Sequence, residues 1–367
     1  MAQGKVGVNN LNQNQGSFPE IENKALYIGV CATNVGSVLS LNQQSDLDVL
    51  LGSVDSALKT QVQAAKDNGG EGWAGYAIPY NGITDWQDSL DIAMDVISPE
   101  LVILCTPAGN SAALDAMQTK SEQVRTTLAR RIIIITATAG IDSDTQTWAQ
   151  YETAQAAITS GVSAYRVCAV PLLHGNDLGV LGGRLCNRSV SIADSPMRVA
   201  TGPLLGLGAI PVDSDGVSLP SATVSTLDSN RLSCSQIYTD YPGVLWGDAN
   251  LLDVPAGDYL VIENLRVVDK AARAIRILSI PKVANRNFNS TPLSIAAAKT
   301  YFMRPLREMS KVITFAGTPF PGDIKTPKDD SITIQWLTKT KVQIFFKVTP
   351  YNSPKEIIAN IVLDLSA

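Results

Sequence analysis

The sequence predicts an α/β fold: an open, mostly parallel sheet with flanking helices, followed by a C-terminal α+β domain with an antiparallel sheet. Between residues 25 and 175, short apolar runs alternate with amphipathic stretches of helical length, the pattern of parallel strands joined by crossover helices. From residue 331 onward, apolar side chains recur at every second position, which is typical of half-buried antiparallel strands.

Five apolar segments predict the strands of the parallel sheet. The segment at 131–137 contains four consecutive isoleucines, which indicates a central strand buried on both faces. The run at 101–105 is also continuously apolar, as a buried strand should be. The predicted strands are 25–30, 73–79, 101–105, 131–137 and 164–170.

Amphipathic segments between these strands predict the helices that cover the sheet. Apolar residues recur at helical spacing in the segments 46–66, 84–97, 111–130 and 144–160. A further helix is expected at 178–190, and a glycine- and proline-rich loop at 204–225.

The C-terminal third predicts two long helices before its sheet. Residues 259–279 read as a strand that runs into the first helix. Thr291 and Pro292 open the second helix in the favoured order of cap and proline, and Pro305 should kink or split it. A long loop is expected at 315–330.

The chain closes with three predicted strands. Segments 331–337 and 341–349 alternate apolar and polar residues and are joined by a link short enough for a hairpin. After Pro350 and Pro354, residues 356–365 form a third, strongly apolar strand. That strand pairs either with a sheet of its own subunit or with a sheet of another subunit, since an open sheet edge is a template for a strand from another chain.

Composition limits the class of protein. The chain has 367 residues, of which 45% are hydrophobic, so it can bury a sizeable core. Its net charge of −5 argues against a protein that binds nucleic acid over its whole surface. The five cysteines have no CxxC spacing and are expected to be buried free thiols. Neither a signal core nor an apolar run of membrane-spanning length is evident, so we expect a soluble protein made in the cytoplasm.

A search for catalytic residues finds only weak candidates. His174 is the single histidine and has no partner motif, so a structural role is favoured over a general base or a metal ligand. The glycine-rich segments 179–183 and 202–208 lack the features of a phosphate-binding loop. We therefore predict no catalytic residues, no cofactor and no metal.

Two basic stripes are more distinctive. Arg266, Lys270 and Arg273 share one face of the helix predicted after residue 259. Arg304, Arg307 and Lys311 repeat the same spacing in the next helix. Each stripe is either a solvated helix face or a positive surface that docks on an acidic partner.

Several segments resemble the contractile tail sheath proteins of bacteriophages and related injection machines. The sequences GKVGVNNLN at 4–12 and ALYIG at 25–29 are similar to the arm and first strand of small phage sheaths. The segment YPGVLWG at 241–247 resembles the region before the sheath C-terminal domain, and YLVIENLRVVDK at 259–270 resembles the start of that domain. The terminal strand at 357–365 is similar to the exchanging C-terminal arm.

The resemblance implies a structural subunit that polymerises as stacked hexameric rings around a tail tube and contracts to drive the tube through the host envelope. It implies an N-terminal arm at 1–23, an outer α/β domain at 24–240, an inner domain at 241–355 and an exchange strand at 356–367. The expected partners are other sheath subunits, the tube, the baseplate and the tail terminator, with no direct nucleic acid and no membrane insertion. The expected location is the virion tail, assembled in the host bacterial cytoplasm.

The resemblance also implies roles for particular residues. The arms should add strands to the sheets of neighbouring subunits, and the basic stripes of the inner domain should face the tube. The candidate subunit-interface residues are Val6, Val8, Leu11, Ile357, Ile361, Leu363 and Leu365. The candidate tube-facing residues are Arg266, Lys270, Arg273, Arg304 and Arg307. Alternatives are a cytoplasmic α/β enzyme that oligomerises through its terminal strand, and another virion component such as a tube, terminator or baseplate protein.

Overall fold

The computed structural model describes residues 21–83, 85–315 and 318–358. A six-stranded sheet lies at its centre, with strand order β2-β3-β1-β4-β5-β6. Every neighbouring pair is parallel except β2 and β3, which are antiparallel. The strands are β1 (Ala25–Val30), β2 (Leu39–Asn42), β3 (Ala74–Tyr80), β4 (Leu101–Leu104), β5 (Ile133–Thr138) and β6 (Val167–Pro171). The predicted mostly parallel sheet is therefore confirmed, and β2 is an additional edge strand that was not predicted.

Helices cover both faces of the sheet. The helices are α1 (Leu47–Leu51), α2 (Ala57–Asn68), α3 (Trp86–Val96), α4 (Ser111–Leu128), α5 (Trp148–Thr159), α6 (Asp177–Leu185) and α7 (Ser221–Ser229). Side chains of α2 and α6 pack into the core on one face, and those of α3, α4 and α5 pack into the core on the other. The two apolar layers thus enclose the isoleucine strand β5, as its sequence predicts.

The prediction of one helix at 46–66 was wrong, because the chain forms two helices. Gly52 follows α1 at a φ of +88°, a backbone conformation that ends a helix and that residues with a side chain rarely adopt. Ser56 then caps α2, accepting a hydrogen bond from the Lys59 N–H. Residues 52–56, between α1 and α2, are therefore not helical.

The glycine-rich segment at 179–183 packs one helix closely against another. A Cβ atom at Gly179 would lie 2.0 Å from the Gln61 carbonyl oxygen, and one at Gly183 would lie 2.3 Å from the Ala65 carbonyl oxygen. Helix α6 can therefore approach the backbone of α2 only because these positions lack side chains. The helix predicted at 178–190 ends earlier, at Leu185.

The C-terminal part consists of a helical hairpin and short antiparallel strand pairs. Its elements are α8 (Ile262–Ser279), α9 (Pro292–Met309), β9 (Ile313–Phe315), β10 (Thr318–Phe320), β11 (Ile332–Trp336) and β12 (Val342–Phe346). The strand expected before α8 is only a bridge between Asn250 and Val261. The loop expected at 315–330 includes β10 and a 3-10 turn at Asp329–Ser331. A pair of two-residue strands, β7 (Ser235–Gln236) and β8 (Leu245–Trp246), lies between the two parts in sequence.

Helix α9 is not split at Pro305. Thr291 caps it, accepting from the Ser294 N–H, and the helix continues as one element to Met309. Phe302 and Leu306 flank the proline and are both fully buried in the same core. Their packing outweighs the hydrogen bond that the proline removes.

Helix α8 belongs to two hydrophobic cores. Its first turn contributes Ile262 and Leu265 to the core beneath the six-stranded sheet. Its later turns contribute Val267, Ala271 and Ile275 to a core shared with α9, β11 and β12. Trp246 also packs into the sheet core, so packing of the α/β part extends beyond the predicted boundary at residue 241.

Candidate assembly site around helix α8

The β11–β12 hairpin has two open edges. Its strands pair antiparallel, with Ile334 opposite Ile344, and neither pairs with a third strand among residues 21–358 that the structure describes. Unpaired backbone N–H and C=O groups therefore line both outer edges. Such an edge can accept a further strand.

The hairpin is apolar on the face that it turns to the helices. Ile332 and Ile334 of β11 are buried there, but Val342, Ile344 and Phe346 of β12 are only half-buried. On the opposite face Phe345 is 53% exposed. A strand added beside β12 would cover apolar surface that the described residues leave partly open.

The C-terminal segment is anchored at Lys355. Its ammonium group lies 2.8 Å from Glu263 Oε1 of α8 and also contacts Asp248 Oδ2. Burial raises the pKa of Glu263, while the charge of Lys355 opposes that increase. Beyond this anchor, Ile357 and Ile358 are 80% and 75% exposed. The candidate interface residue Ile357 therefore has no apolar cover within the described subunit.

The N-terminal segment is anchored on the same helix, at Glu22 and Asn23. Arg273 forms an ion pair with Glu22. The Asn23 N–H donates to Glu100 Oε2 at 2.9 Å, and its side-chain oxygen accepts from Arg266 at 3.1 Å. Asn23 has a φ of +60°, so the chain turns sharply at this anchor before entering β1.

These contacts correct the prediction for the first basic stripe. Arg266 is 2% exposed, and its Nε lies 2.7 Å from Glu100 Oε1, so it points into the subunit and not toward a tube. Lys270 pairs with Asp323 at 2.7 Å, and Arg273 pairs with Glu22. The stripe on α8 therefore stabilises the subunit itself. Arg304 and Arg307 on α9 are exposed, as the prediction requires.

A further buried ion pair connects α8 to the sheet. Arg166, immediately before β6, donates to both carboxylate oxygens of Asp269 at 2.8 and 3.0 Å. Burial opposes the charge of Arg166, but the hydrogen bonds and charge of Asp269 outweigh it and raise the pKa of the guanidinium. Arg131 adds a contact with Asp269 at 3.1 Å. Neither Arg166 nor Asp269 could be predicted from the sequence, because no local pattern links them.

The two anchored ends border one cleft. Its volume is about 290 Å³, and its lining includes Glu22, Asp323 and Tyr351. Val6, Val8, Leu11, Ile361, Leu363 and Leu365, predicted at subunit interfaces, lie outside the described residues. The structure thus gives the contacts of Glu22 and Lys355, the anchors nearest the two ends of its described part.

The remaining candidates for chemistry have structural roles. The Nδ1 atom of His174 lies 2.9 Å from Asp177 Oδ1, and both side chains are buried. Burial raises the pKa of Cys168 and Cys186 to about 12, so neither thiol ionises at neutral pH. Within the described ranges, His, Cys, Asp and Glu side chains form no group of three or more suited to a metal ion. A membrane-spanning helix, long and apolar enough to cross a bilayer, is also absent from the described part of the chain.

The sequence matches two adjoining family models over most of its length. The DUF2586 N-terminal domain matches residues 3–250, and the DUF2586 C-terminal domain matches residues 258–366. A protein of Haemophilus phage HP1 (strain HP1c1), named "Putative tail sheath protein", is 45% identical over 369 residues. The alignment covers 99% of this chain and 98% of the phage protein.

Solved structures share the fold at low sequence identity. A chain from the cryo-EM structure of the anti-feeding prophage baseplate matches with a TM-score of 0.58 and 14% identity, covering 98% of this chain and 100% of that chain. The sheath tail protein of Desulfitobacterium hafniense matches with a TM-score of 0.54 and 10% identity, covering 93% and 96%. The sheath tail protein of Listeria innocua matches with a TM-score of 0.56 and 9% identity, covering 92% and 93%.

The 45% identity to the phage protein spans nearly both full chains, which is sufficient to assign the family. Proteins named as tail sheaths are structural, so the prediction that this chain is not an enzyme is confirmed. The chain belongs to the DUF2586 family and, with it, to the phage tail sheath proteins.

Proposed function

We propose that the protein is the subunit of a contractile phage tail sheath. Subunits stack as hexameric rings around the tail tube, and contraction of the sheath drives the tube through the host envelope. Assembly takes place in the host bacterial cytoplasm and ends in the virion tail, with the tube, the baseplate and the tail terminator as partners. The phage relative's name and the baseplate that contains a structural neighbour support this proposal.

The observation that carries the proposal is the open β11–β12 hairpin near two anchored chain ends. Residues 1–23 and 356–367 act as arms that add strands to hairpins of neighbouring subunits. Val6, Val8, Leu11, Ile357, Ile361, Leu363 and Leu365 provide their apolar contacts. Such a strand would bury the half-exposed side chains of Val342, Ile344 and Phe346 on β12. Its backbone would form hydrogen bonds with the unpaired edge of the hairpin.

The anchors explain how links between subunits could persist while subunit faces repack. Lys355 and Glu22 hold the roots of the arms on α8, and Ile357 leaves the surface immediately after the anchor. Rotation can then occur in the arms without disturbing the core. Contraction in this proposal is a change between two packings of rigid subunits and requires no cofactor.

The tube-facing surface in this proposal is the exposed side of α9. Arg304 and Arg307 lie there, one turn apart, and neither forms an ion pair among the described residues. An acidic tube surface would complement them. Residues 241–355 then form the inner domain and residues 24–240 the outer domain of the sheath.

Deletion of residues 356–367 tests the strand-exchange mechanism. The truncated chain keeps Lys355 and its ion pairs, so the subunit should fold with an unchanged circular dichroism spectrum. Negative-stain electron microscopy with tube and baseplate should show striated cylinders for the wild type and none for the deletion. Cylinders formed by the truncated chain would rule out the C-terminal arm as a required link. A wild type that forms no cylinders with either partner would contradict the sheath function.

A further inference from the structure

The helical hairpin formed by α8 and α9 carries a strong positive charge. Residues 270–307 contain eight basic residues and no Asp or Glu: Lys270, Arg273, Arg276, Lys282, Arg286, Lys299, Arg304 and Arg307. The whole chain has a net charge of −5, so the residues outside this stretch carry −13. Lys270 and Arg273 are paired with Asp323 and Glu22, but the other six form no ion pair among the described residues, so the hairpin carries unpaired positive charge.

The end of this hairpin is an exposed surface that we call the tip, comprising residues 276–293. Its apolar side chains Ile280, Val283 and Leu293 are 56%, 78% and 83% exposed. Arg276 and Arg286 are exposed as well, and neither pairs with a carboxylate in the described ranges. Apolar and cationic groups in one exposed surface are typical of a protein-binding site.

The two arginines of the tip lie outside helix α9, which carries the proposed tube-facing residues Arg304 and Arg307. Arg276 belongs to α8, and Arg286 to the connection between the helices. Lys282 lies closer to the proposed tube-facing surface, since its ammonium group is 4.2 Å from the centre of the ring of Tyr301, three residues before Arg304. The contact inferred below therefore depends on Arg276 and Arg286.

Helix α3 presents the complementary surface on the α/β part. Asp88, Asp95, Ile92 and Val96 lie on its exposed side, with the two apolar side chains 48% and 72% exposed. Arg130 donates to the Met94 and Ile97 carbonyl oxygens at the end of α3, but neither Asp88 nor Asp95 forms an ion pair in the described ranges, so Asp95 keeps its charge unpaired at the negative end of the helix dipole. A cation from outside the subunit would stabilise it. We call Asp88, Ile92, Asp95 and Val96 the α3 face.

Assembly of identical subunits into rings requires two different complementary surfaces on each chain. A ring is built from head-to-tail contacts, in which one patch of a subunit meets another patch of the next. From the matched charges and exposed apolar residues, we infer that the tip of one copy docks on the α3 face of a second copy. This inference rests on the proposed sheath function, because it takes the second copy as a neighbour in the polymer.

Charge reversal on each side tests this contact. The first variant is R276E/R286E, the second is D88K/D95K, and the third combines all four changes. Asp91 is left unchanged because it pairs with the buried Lys120 at 2.7 Å. Each two-residue variant should raise the protein concentration needed for cylinder formation by at least about tenfold, since like charges then face each other. The combined variant should return that concentration to near the wild-type value.

A matched control changes charge elsewhere. The variant E71K/D215K makes the same change in net charge as D88K/D95K at two exposed carboxylates and should assemble normally. Thermal unfolding of all variants separates loss of the contact from loss of the fold. Assembly by both reversed variants at the wild-type concentration would overturn the inference and leave the sheath function intact. Failure of the combined variant to recover would also overturn it, because the tip would then bind another partner.

Crosslinking provides a measurement that does not need long polymers. A mixture of isotopically labelled and unlabelled wild-type chains is treated with a carbodiimide, which joins an amine directly to a carboxylate. Mass spectrometry should find mixed labelled–unlabelled peptides that join Lys282 to Asp88 or Asp95. Absence of these mixed peptides, with other crosslinks between copies present, would contradict the contact.

Discussion

Removal of the Arg266 side chain should destabilise the subunit strongly. In the folded protein its guanidinium donates to Glu100 Oε1 at 2.7 Å, to Glu100 Oε2 at 2.8 Å and to Asn23 Oδ1 at 3.1 Å. Arg266→Met keeps most of the apolar volume but leaves the buried Glu100 carboxylate without its cation. Breaking one side of a buried ion pair costs about 3–5 kcal/mol, and we expect a loss of that size in the free energy of unfolding. Urea unfolding at pH 7, followed by tryptophan fluorescence and far-UV circular dichroism, measures it.

The double variant R266M/E100Q separates the ion pair from packing. Because it removes both charges, it should recover most of the stability that R266M loses. Arg304→Met is the matched control: this arginine is exposed, and its loss should change the free energy of unfolding by less than about 0.5 kcal/mol. A loss below about 1 kcal/mol for R266M, or a double variant no more stable than R266M, would refute the role assigned to this pair.

Three further predictions follow from burial and packing. Gly183→Ala places a Cβ 2.3 Å from the Ala65 carbonyl oxygen and should lower the free energy of unfolding by about 1–3 kcal/mol; an unchanged urea midpoint would contradict this. Burial raises the pKa of Glu263, so the folded state binds more protons than the unfolded state below neutral pH. Protonation of Glu263 then stabilises the folded wild type as the pH falls. The free energy of unfolding of Glu263→Gln minus that of the wild type should therefore decrease between pH 7 and the pKa of Glu263 in the unfolded chain, and a difference that does not change with pH would disprove the raised pKa. All five cysteines are buried, so a thiol reagent should label none rapidly in the folded protein and five after unfolding; rapid labelling of native protein would be inconsistent with the packing.

Much of the α/β fold could be predicted because its signals are local. The isoleucine run of β5, and in the C-terminal part the cap at Thr291, each depend on a few neighbouring residues. Edge strand β2 was missed because its alternation, with Leu39 and Leu41, extends over only four residues. Such a short pattern cannot be distinguished from a loop without its pairing partner β3.

The site around α8 could be predicted only in part, because its partners are distant in sequence. Arg266 and Glu100 are separated by 166 positions, and Arg273 and Glu22 by 251. Helical spacing correctly places the basic residues of α8 on one side, but it cannot show that carboxylates from elsewhere meet them. The same limit applies to the glycines at 179–183, because the local sequence does not show that they allow close approach of the α2 backbone.

In the proposed sheath, the anchoring of both Glu22 and Lys355 on α8 determines where mechanical load enters the subunit. A pull on the N-terminal segment acts on Arg273 through Glu22, and a pull on the C-terminal segment acts on Glu263 through Lys355. Glu263 and Arg273 lie ten residues apart, about 15 Å along one helix. In the proposed sheath, tension between neighbours would therefore pass partly through this short length of α8, in parallel with the covalent chain that runs from Asn23 into β1. The ion pairs on α8 then share a load that β1 would otherwise carry alone.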